Sequence, residues 1–167
     1  MSKIYYYEDF LGDALQDVGS FSFTQDEIIQ FAVQFDPQSF HTDPEAAERS
    51  IYGGLIASGW HTCSRTMRLM CDTYLIETAS SGSPGIDNIS WIKPVRPGDV
   101  ISVRRTTLEH RVSRSNPQRG LVLSEFTLTN QDGEKVMTMK AWSMILSREA
   151  LFSGDPRLTP RHAAQQI

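Results

Sequence analysis

Cysteine is scarce in this chain of 167 residues: there are two, Cys63 and Cys71. They fall in a segment with helical periodicity, where eight residues correspond to a rise of about 12 Å. Bridged Cα atoms lie within roughly 7 Å, so an intrachain disulfide is excluded. None is required, because a chain of this length removes roughly 70% of its unfolded surface from water. The four histidines, His41, His61, His110 and His162, lack the short spacings that place two ligands on one face, and no metal centre is expected. No apolar run approaches the ~18 residues of a membrane span, and the residues after Met1 lack the apolar stretch of a secretory leader. No membrane association is expected, and the cytoplasm is the default compartment. Basic residues are in deficit, 16 against 20 acidic, for a net charge of -4. That balance argues against a nucleic-acid partner, whose phosphates call for a basic surface. Internal repeats and low-complexity blocks are also missing. One domain is expected over 1–152, followed by a flexible polar tail over 153–167.

The front of the chain has helical signals. Thr24-Gln25-Asp26-Glu27 is a capping box, and apolar Ile28, Ile29, Phe31, Ala32 and Phe35 follow at helical spacing. Pro37 disfavours helical geometry at Asp36 and ends that helix. Asp43-Pro44 opens another, with Asp43 as N-cap and Pro44 at the first helical position. The segment from Asp36 to Thr42 is then a loop. After Gly53-Gly54, bulky residues at Ile56, Trp60, Cys63, Met67, Met70 and Tyr74 predict a long, mostly buried helix to about Ile76. Trp60, Met67 and Met70 form a stripe on this helix that is most often plain core. Beyond Gly85 the period changes to two. Strands are predicted over 86–92, 100–111, 121–129 and 136–146, with a hairpin signal at Asp132-Gly133. Met137, Met139, Ala141, Ser143 and Ile145 share one face of the last strand. A buried helix followed by an antiparallel meander gives an α+β domain in which a curved sheet wraps the helix.

Two features can carry chemistry. Asp36 and His41 are five positions apart, about 140° apart on a helix and on opposite faces of a strand, so only a loop lets them converge. A carboxylate beside an imidazole suits acid-base work on water near neutral pH. The alternative is that both only make turn and cap hydrogen bonds. The Gly53-Gly54 pair, ahead of a helix, offers unblocked N–H groups to an oxygen that becomes negative, and Ser58 lies one turn beyond Gly54. Two glycines alone favour the alternative, a structural helix entry with a tolerated polar residue.

The run Phe35-Asp36-Pro37-Gln38-Ser39-Phe40-His41-Thr42-Asp43-Pro44-Glu45-Ala46-Ala47, with Ile51-Tyr52-Gly53-Gly54-Leu55-Ile56-Ala57-Ser58 and Lys93-Pro94-Val95-Arg96-Pro97-Gly98-Asp99, resembles the MaoC-like dehydratases. This family includes the (R)-specific enoyl-CoA hydratases and has the hotdog fold, a long central helix wrapped by an antiparallel sheet. The family's usual Asp-x-Asn-Pro-Leu-His is altered here at Gln38, Ser39 and Phe40, and its His-Gly-Met helix start is matched to Gly53-Gly54-Leu55. The resemblance implies an Asp36–His41 dyad that adds water across the 2,3 double bond of an enoyl-CoA, giving a 3-hydroxyacyl-CoA, or runs the reverse dehydration. It implies Gly54 as the donor to the thioester oxygen, Ser58 as a positioning group, a homodimer, and no cofactor beyond the CoA thioester substrate. The segment from Lys93 to Arg119 carries seven basic residues against Asp99 and Glu109. Arg111, Arg114 and Arg119 in its loop are candidates for the CoA phosphates. A hotdog thioesterase and a non-catalytic acyl-CoA-binding subunit are the alternative functions.

Overall fold

The computed structural model describes residues 4–12 and 15–149. The expected tail at 153–167 lies outside the described residues.

Helix α1 (Gln25–Phe35) starts at the capping box read from the sequence: Thr24 Oγ1 accepts from the Glu27 N–H at 3.2 Å, and Glu27 Oε2 accepts from the Thr24 N–H at 2.8 Å. Those bonds hold the Glu27 carboxyl below its usual range. Ile28 and Ala32 form its buried stripe. The chain leaves the helix at Asp36, ahead of Pro37, and makes one helical turn, α2 (Ser39–Thr42), within what was expected to be a loop. Asp43 then caps α3 (Pro44–Glu48), its carboxylate accepting from the N–H groups of Glu45 and Ala46.

The central helix α4 (Gly59–Met70) begins five residues later than Gly54, with Ser58 as its N-cap, and continues through a π-helical turn at Cys71–Leu75. It is not buried all round. His61, Thr62, Thr66 and Met70 face the core, while Trp60 and Met67 are about half exposed. The sheet meets one face of the helix; on the other, Trp60 packs edge-on against Trp91 and Met67 is turned to solvent. Met70 belongs to the core, Met67 to the surface, and Trp60 to the rim of a cleft described below.

Five antiparallel strands form one sheet in the order β1-β3-β4-β5-β2. They are β1 (Asp17–Ser22), β2 (Ile86–Trp91), β3 (Val100–Val112), β4 (Arg119–Thr129) and β5 (Lys135–Leu146). The last four match the period-two runs of the sequence. Strand β1 was not expected: Gly19 at φ +113° sits at a register shift against β3 and breaks the alternation that signals a strand. Side chains of α1, α4 and the inner face of the sheet make the core, among them Phe23, Ile28, Ile101, Val103, Phe126, Leu128, Met137 and Ile145. The Arg105 guanidinium is also buried, donating to Leu15 O, Thr107 Oγ1 and Ser124 Oγ and lying over the Phe10 ring. The helix-over-curved-sheet layout is the hotdog fold expected from the sequence. Register fixes what each end of the sheet holds: Trp91 and Leu128 pair with Met137 at one end, and Arg119 pairs with Leu146 at the other.

Candidate active site

Asp36, His41 and Ser58 come from three separate elements and meet at one point. Asp36 follows the last residue of α1, its N–H still bonded to Ala32 O, and its carboxylate turns back toward the start of α4. There Oδ2 accepts a hydrogen bond of 2.7 Å from Ser58 Oγ, while Oδ1 accepts one of 2.8 Å from Gln38 Nε2. His41 Nε2 lies 3.4 Å from the same Oδ2. The other ring nitrogen, Nδ1, is 2.7 Å from Ile56 O. A carbonyl only accepts, so Nδ1 carries a proton and Nε2 is the nitrogen turned toward the carboxylate.

Burial raises the Asp36 carboxyl, but hydrogen bonds from Ser58 and Gln38 and the nearby His41 outweigh it and hold the group below its usual range. Asp36 is therefore an anion at neutral pH, fixed on both oxygens. Ser58 acts twice, because the hydroxyl that donates to Asp36 accepts from the Trp60 N–H at 3.2 Å as the cap of α4. The carboxylate's position is thus tied to the start of the central helix.

Asp36, Gln38 and His41 line a cleft of about 470 Å³, a size suited to a small-molecule ligand, with Ser58 buried behind them. Asp36, Gln38 and His41 supply its polar side. Phe40, Tyr52, Trp60, Trp91 and Met137 supply apolar walls, and Trp60 packs edge-on against Trp91 at 5.4 Å.

Gly54 does not fill the position assigned to it from the sequence. Its N–H donates to Ala47 O at 3.0 Å, and the residue is not part of the cleft wall. The glycine at the cleft is Gly59, the first residue of α4, whose N–H precedes the helix's internal bonds and has no acceptor among the described residues. A Cβ there would come within 2.5 Å of the Trp91 indole, so a side chain at 59 requires Trp91 to move. A Ser-Gly pair is also a helix-start signal, and it was overshadowed by the double glycine upstream.

Arg111, Arg114 and Arg119 are at the far end of the sheet. Nine residues of β5 separate Met137 at the cleft from Leu146 opposite Arg119, about 30 Å of strand. Arg111 lies over the Trp142 ring at 5.7 Å, Arg114 is exposed, and Arg119 Nε is buried without a partner among the described residues. Within one chain these arginines do not reach the cleft. The basic residues near it are Lys93, paired with Glu134 at 2.5 Å, and Arg96. His61 is close in sequence but separate in space, stacked on Phe31 at 4.3 Å with Nδ1 unpartnered; burial pushes it down to about 4, so it is neutral.

Among the described residues, no three His, Cys, Asp or Glu side chains are grouped to hold a metal ion, and both cysteines are free. No helix among them is long and apolar enough to cross a membrane.

Comparison with known proteins places this geometry in a family. The family model described as MaoC like domain matches residues 10–127, more than half of the chain. A MaoC-like dehydratase from Rhodospirillum rubrum, known from its crystal structure, is 37% identical; the match covers 86% of this chain and 98% of that one, with a TM-score of 0.76. The (R)-hydratase of A. caviae involved in PHA biosynthesis shares the fold at 21% identity and a TM-score of 0.62, over 81% of this chain and 99% of that one. The uncharacterized protein YdeM of Bacillus subtilis (strain 168) is 28% identical over 117 residues, 70% of this chain and 82% of that protein. With a helix capped by Ser58, a five-stranded antiparallel sheet around it and a family match over most of its length, the chain belongs to the MaoC-like domain family and has the hotdog fold.

Proposed function

We propose that this protein hydrates enoyl-CoA thioesters to 3-hydroxyacyl-CoA and catalyses the reverse dehydration, with Asp36 and His41 as the groups that handle water. One observation carries the reading: a carboxylate kept anionic by Ser58 and Gln38 faces an imidazole nitrogen inside a cleft that also holds an open amide, that of Gly59. Water held between Asp36 and His41 Nε2 gives up a proton to the pair as its oxygen bonds to C3 of the enoyl thioester. The π electrons move toward the thioester carbonyl, whose oxygen becomes enolate-like and accepts from the Gly59 N–H. A proton from the pair then goes to C2. All atoms of the water end in the product, and no cofactor enters. Gly59 takes the role first assigned to Gly54, because the Gly54 amide is already bonded.

The functional unit we propose is a homodimer. Strand β2 is an edge of the sheet, and Trp91 on it, Ile92 just after it and Trp60 packed on Trp91 are each about half exposed. A second copy pairing along that edge covers both the unpaired backbone and the apolar side chains. A monomer in light scattering at micromolar concentration, with full activity, rules this out.

The test of the reaction is to incubate the protein with enoyl-CoA thioesters of several chain lengths and to resolve the product enantiomers. A 3-hydroxyacyl-CoA with its thioester intact is expected. Release of free CoA thiol points instead to the thioesterase, and binding without turnover, unaffected by loss of Asp36 and His41, to the acyl-CoA-binding subunit.

A further inference from the structure

Two sequence features have no part in the water chemistry: the Gly53-Gly54 pair and the Lys93–Asp99 segment. In the fold they meet. Arg96 Nη2 donates to the carbonyl oxygen of Tyr52, and its Nη1 lies 3.0 Å from where a Cβ on Gly54 would be. Gly54 has φ +143°, a backbone conformation that side-chain-bearing residues rarely adopt, and its missing side chain leaves room for the guanidinium. The backbone of Arg96 is held as well. Its N–H donates to Asp99 Oδ2 at 2.8 Å, the Asp99 N–H returns to Arg96 O at 3.1 Å, and the intervening Gly98 is bonded to Phe23 O. A turn and a glycine loop thus both serve to place one half-buried arginine.

That arginine is without an acidic partner. Arg49, Arg68, Lys93, Lys140 and Arg148 all have a carboxylate within 4.0 Å, whereas none lies that close to the Arg96 guanidinium among the described residues. Asp99 bonds its backbone, not its fork. Arg96 also sits beside the cleft. Tyr52, whose carbonyl it holds, forms a cleft wall, and so do Lys93, Pro94 and Val95 just before it in the chain. From the imidazole of His41 the path runs through two ring contacts, Phe40 at 4.5 Å and Tyr52 at 5.1 Å from Phe40, and then to the guanidinium. Lys93 is paired with Glu134, whereas Arg96 is a cation beside this rim with no carboxylate within 4.0 Å among the described residues.

We propose that Arg96 is the anchor for the phosphate of the substrate's phosphopantetheine arm, held at the rim of the cleft by the Gly54 loop; this rests on the reading of the cleft as a thioester site. The planar fork, with one donor spent on Tyr52 and others free, suits a phosphate oxygen pair. The arm is common to CoA and to acyl carrier proteins, so the recognised chemistry is the phosphopantetheine phosphate.

The experiment compares one enoyl group on CoA, on 4′-phosphopantetheine, on a carrier protein and on pantetheine lacking phosphate, with the parent, Arg96→Gln and Arg96→Lys. Charge-assisted hydrogen bonds of this kind are worth about tenfold in affinity. KM for the CoA and phosphopantetheine thioesters should rise about tenfold in Arg96→Gln, less in Arg96→Lys, with kcat kept and the pantetheine thioester unaffected. An effect on CoA but not on phosphopantetheine assigns the contact to the adenosine end and overturns the proposal, as does an equal effect on all substrates. A loss confined to the carrier-protein substrate assigns Arg96 to protein docking and overturns it too. If Arg96→Gln does not fold, the parent decides: raised salt should increase KM for the phosphorylated substrates only. If the parent turns over none of them, the hydratase reading fails, and calorimetry with free CoA still tests the anchor, which predicts binding weakened about tenfold by Arg96→Gln and less by Arg96→Lys.

Discussion

Replacing Ser58 with alanine removes two bonds with one atom. The hydroxyl accepts from the Trp60 N–H as the cap of α4 and donates to the Asp36 carboxylate at 2.7 Å. Loss of an N-cap costs about 1 kcal/mol, and loss of a hydrogen bond to a charged group about 1.5–3 kcal/mol. Because Asp36 keeps Gln38 and His41 as partners, we expect the lower part of the combined range, about 2.5–3 kcal/mol, as a reduced urea midpoint at neutral pH. The pH dependence is more telling. Asp36 is held below its usual range, so its contribution to stability is full above the unfolded pKa and is lost as pH falls toward the folded one. Without the Ser58 donor the folded pKa rises, and the acid limb of kcat/KM against pH should move to higher pH. The assay is enoyl-CoA hydration across the acid range by Ser58→Ala and the parent. An acid limb that stays in place, with the variant folded, refutes the coupling of Ser58 to the ionised Asp36.

Further outcomes follow from other positions. Gly59→Ala puts a methyl within 2.5 Å of Trp91 and shifts the amide, so kcat should fall about 10²-fold, whereas Gly54→Ala should act on KM through Arg96; steady-state kinetics of both variants separate the two glycines, and the opposite pattern returns the oxyanion role to Gly54. His61 is neutral when folded because burial pushes it down to about 4, while the unfolded chain takes up a proton near 6.5. Stability present above pH 6.5 is therefore lost as pH falls toward 4, by no more than about 3 kcal/mol, and His61→Phe should flatten that slope in urea titrations between those values. An unchanged slope means that His61 is not the group responsible.

Local chemistry was legible where bonds are short-range. The Thr24–Glu27 capping box, the Asp43-Pro44 start of α3 and the four alternating strands all appear as read, because each depends on neighbours within a few residues. Asp36 and His41 do converge, but His41 sits on the helical turn α2 rather than on the loop that the spacing around Pro37 predicted; the break in helix at Asp36 is what lets the two side chains meet. What was missed depends on tertiary placement. Gly53-Gly54 and Ser58-Gly59 are both plausible helix starts, and only the fold shows which amide is consumed by Ala47 and which opens on the cleft. Charge counting found the basic segment from Lys93 to Arg119 but could not see that strands β3 and β4 carry its arginine hairpin to the opposite end of the sheet. Strand β1 was hidden by Gly19, and the exposed flank of α4 by a bulk pattern that marks apolar residues without saying what covers them.

The proposed mechanism needs Asp36 as the base that activates water, and Asp36→Asn tests that role most directly. The substitution keeps the shape and can still hydrogen-bond with Ser58, but it removes the negative charge that accepts the proton. Loss of a general base costs about 10² to 10⁴ in rate. The measurement is the initial rate of conversion of enoyl-CoA to 3-hydroxyacyl-CoA by Asp36→Asn beside the parent, with circular dichroism and urea unfolding to show that both are folded. We predict a fall of at least 10²-fold in kcat for a folded variant, and hydration by folded Asp36→Asn at the parent rate contradicts the mechanism.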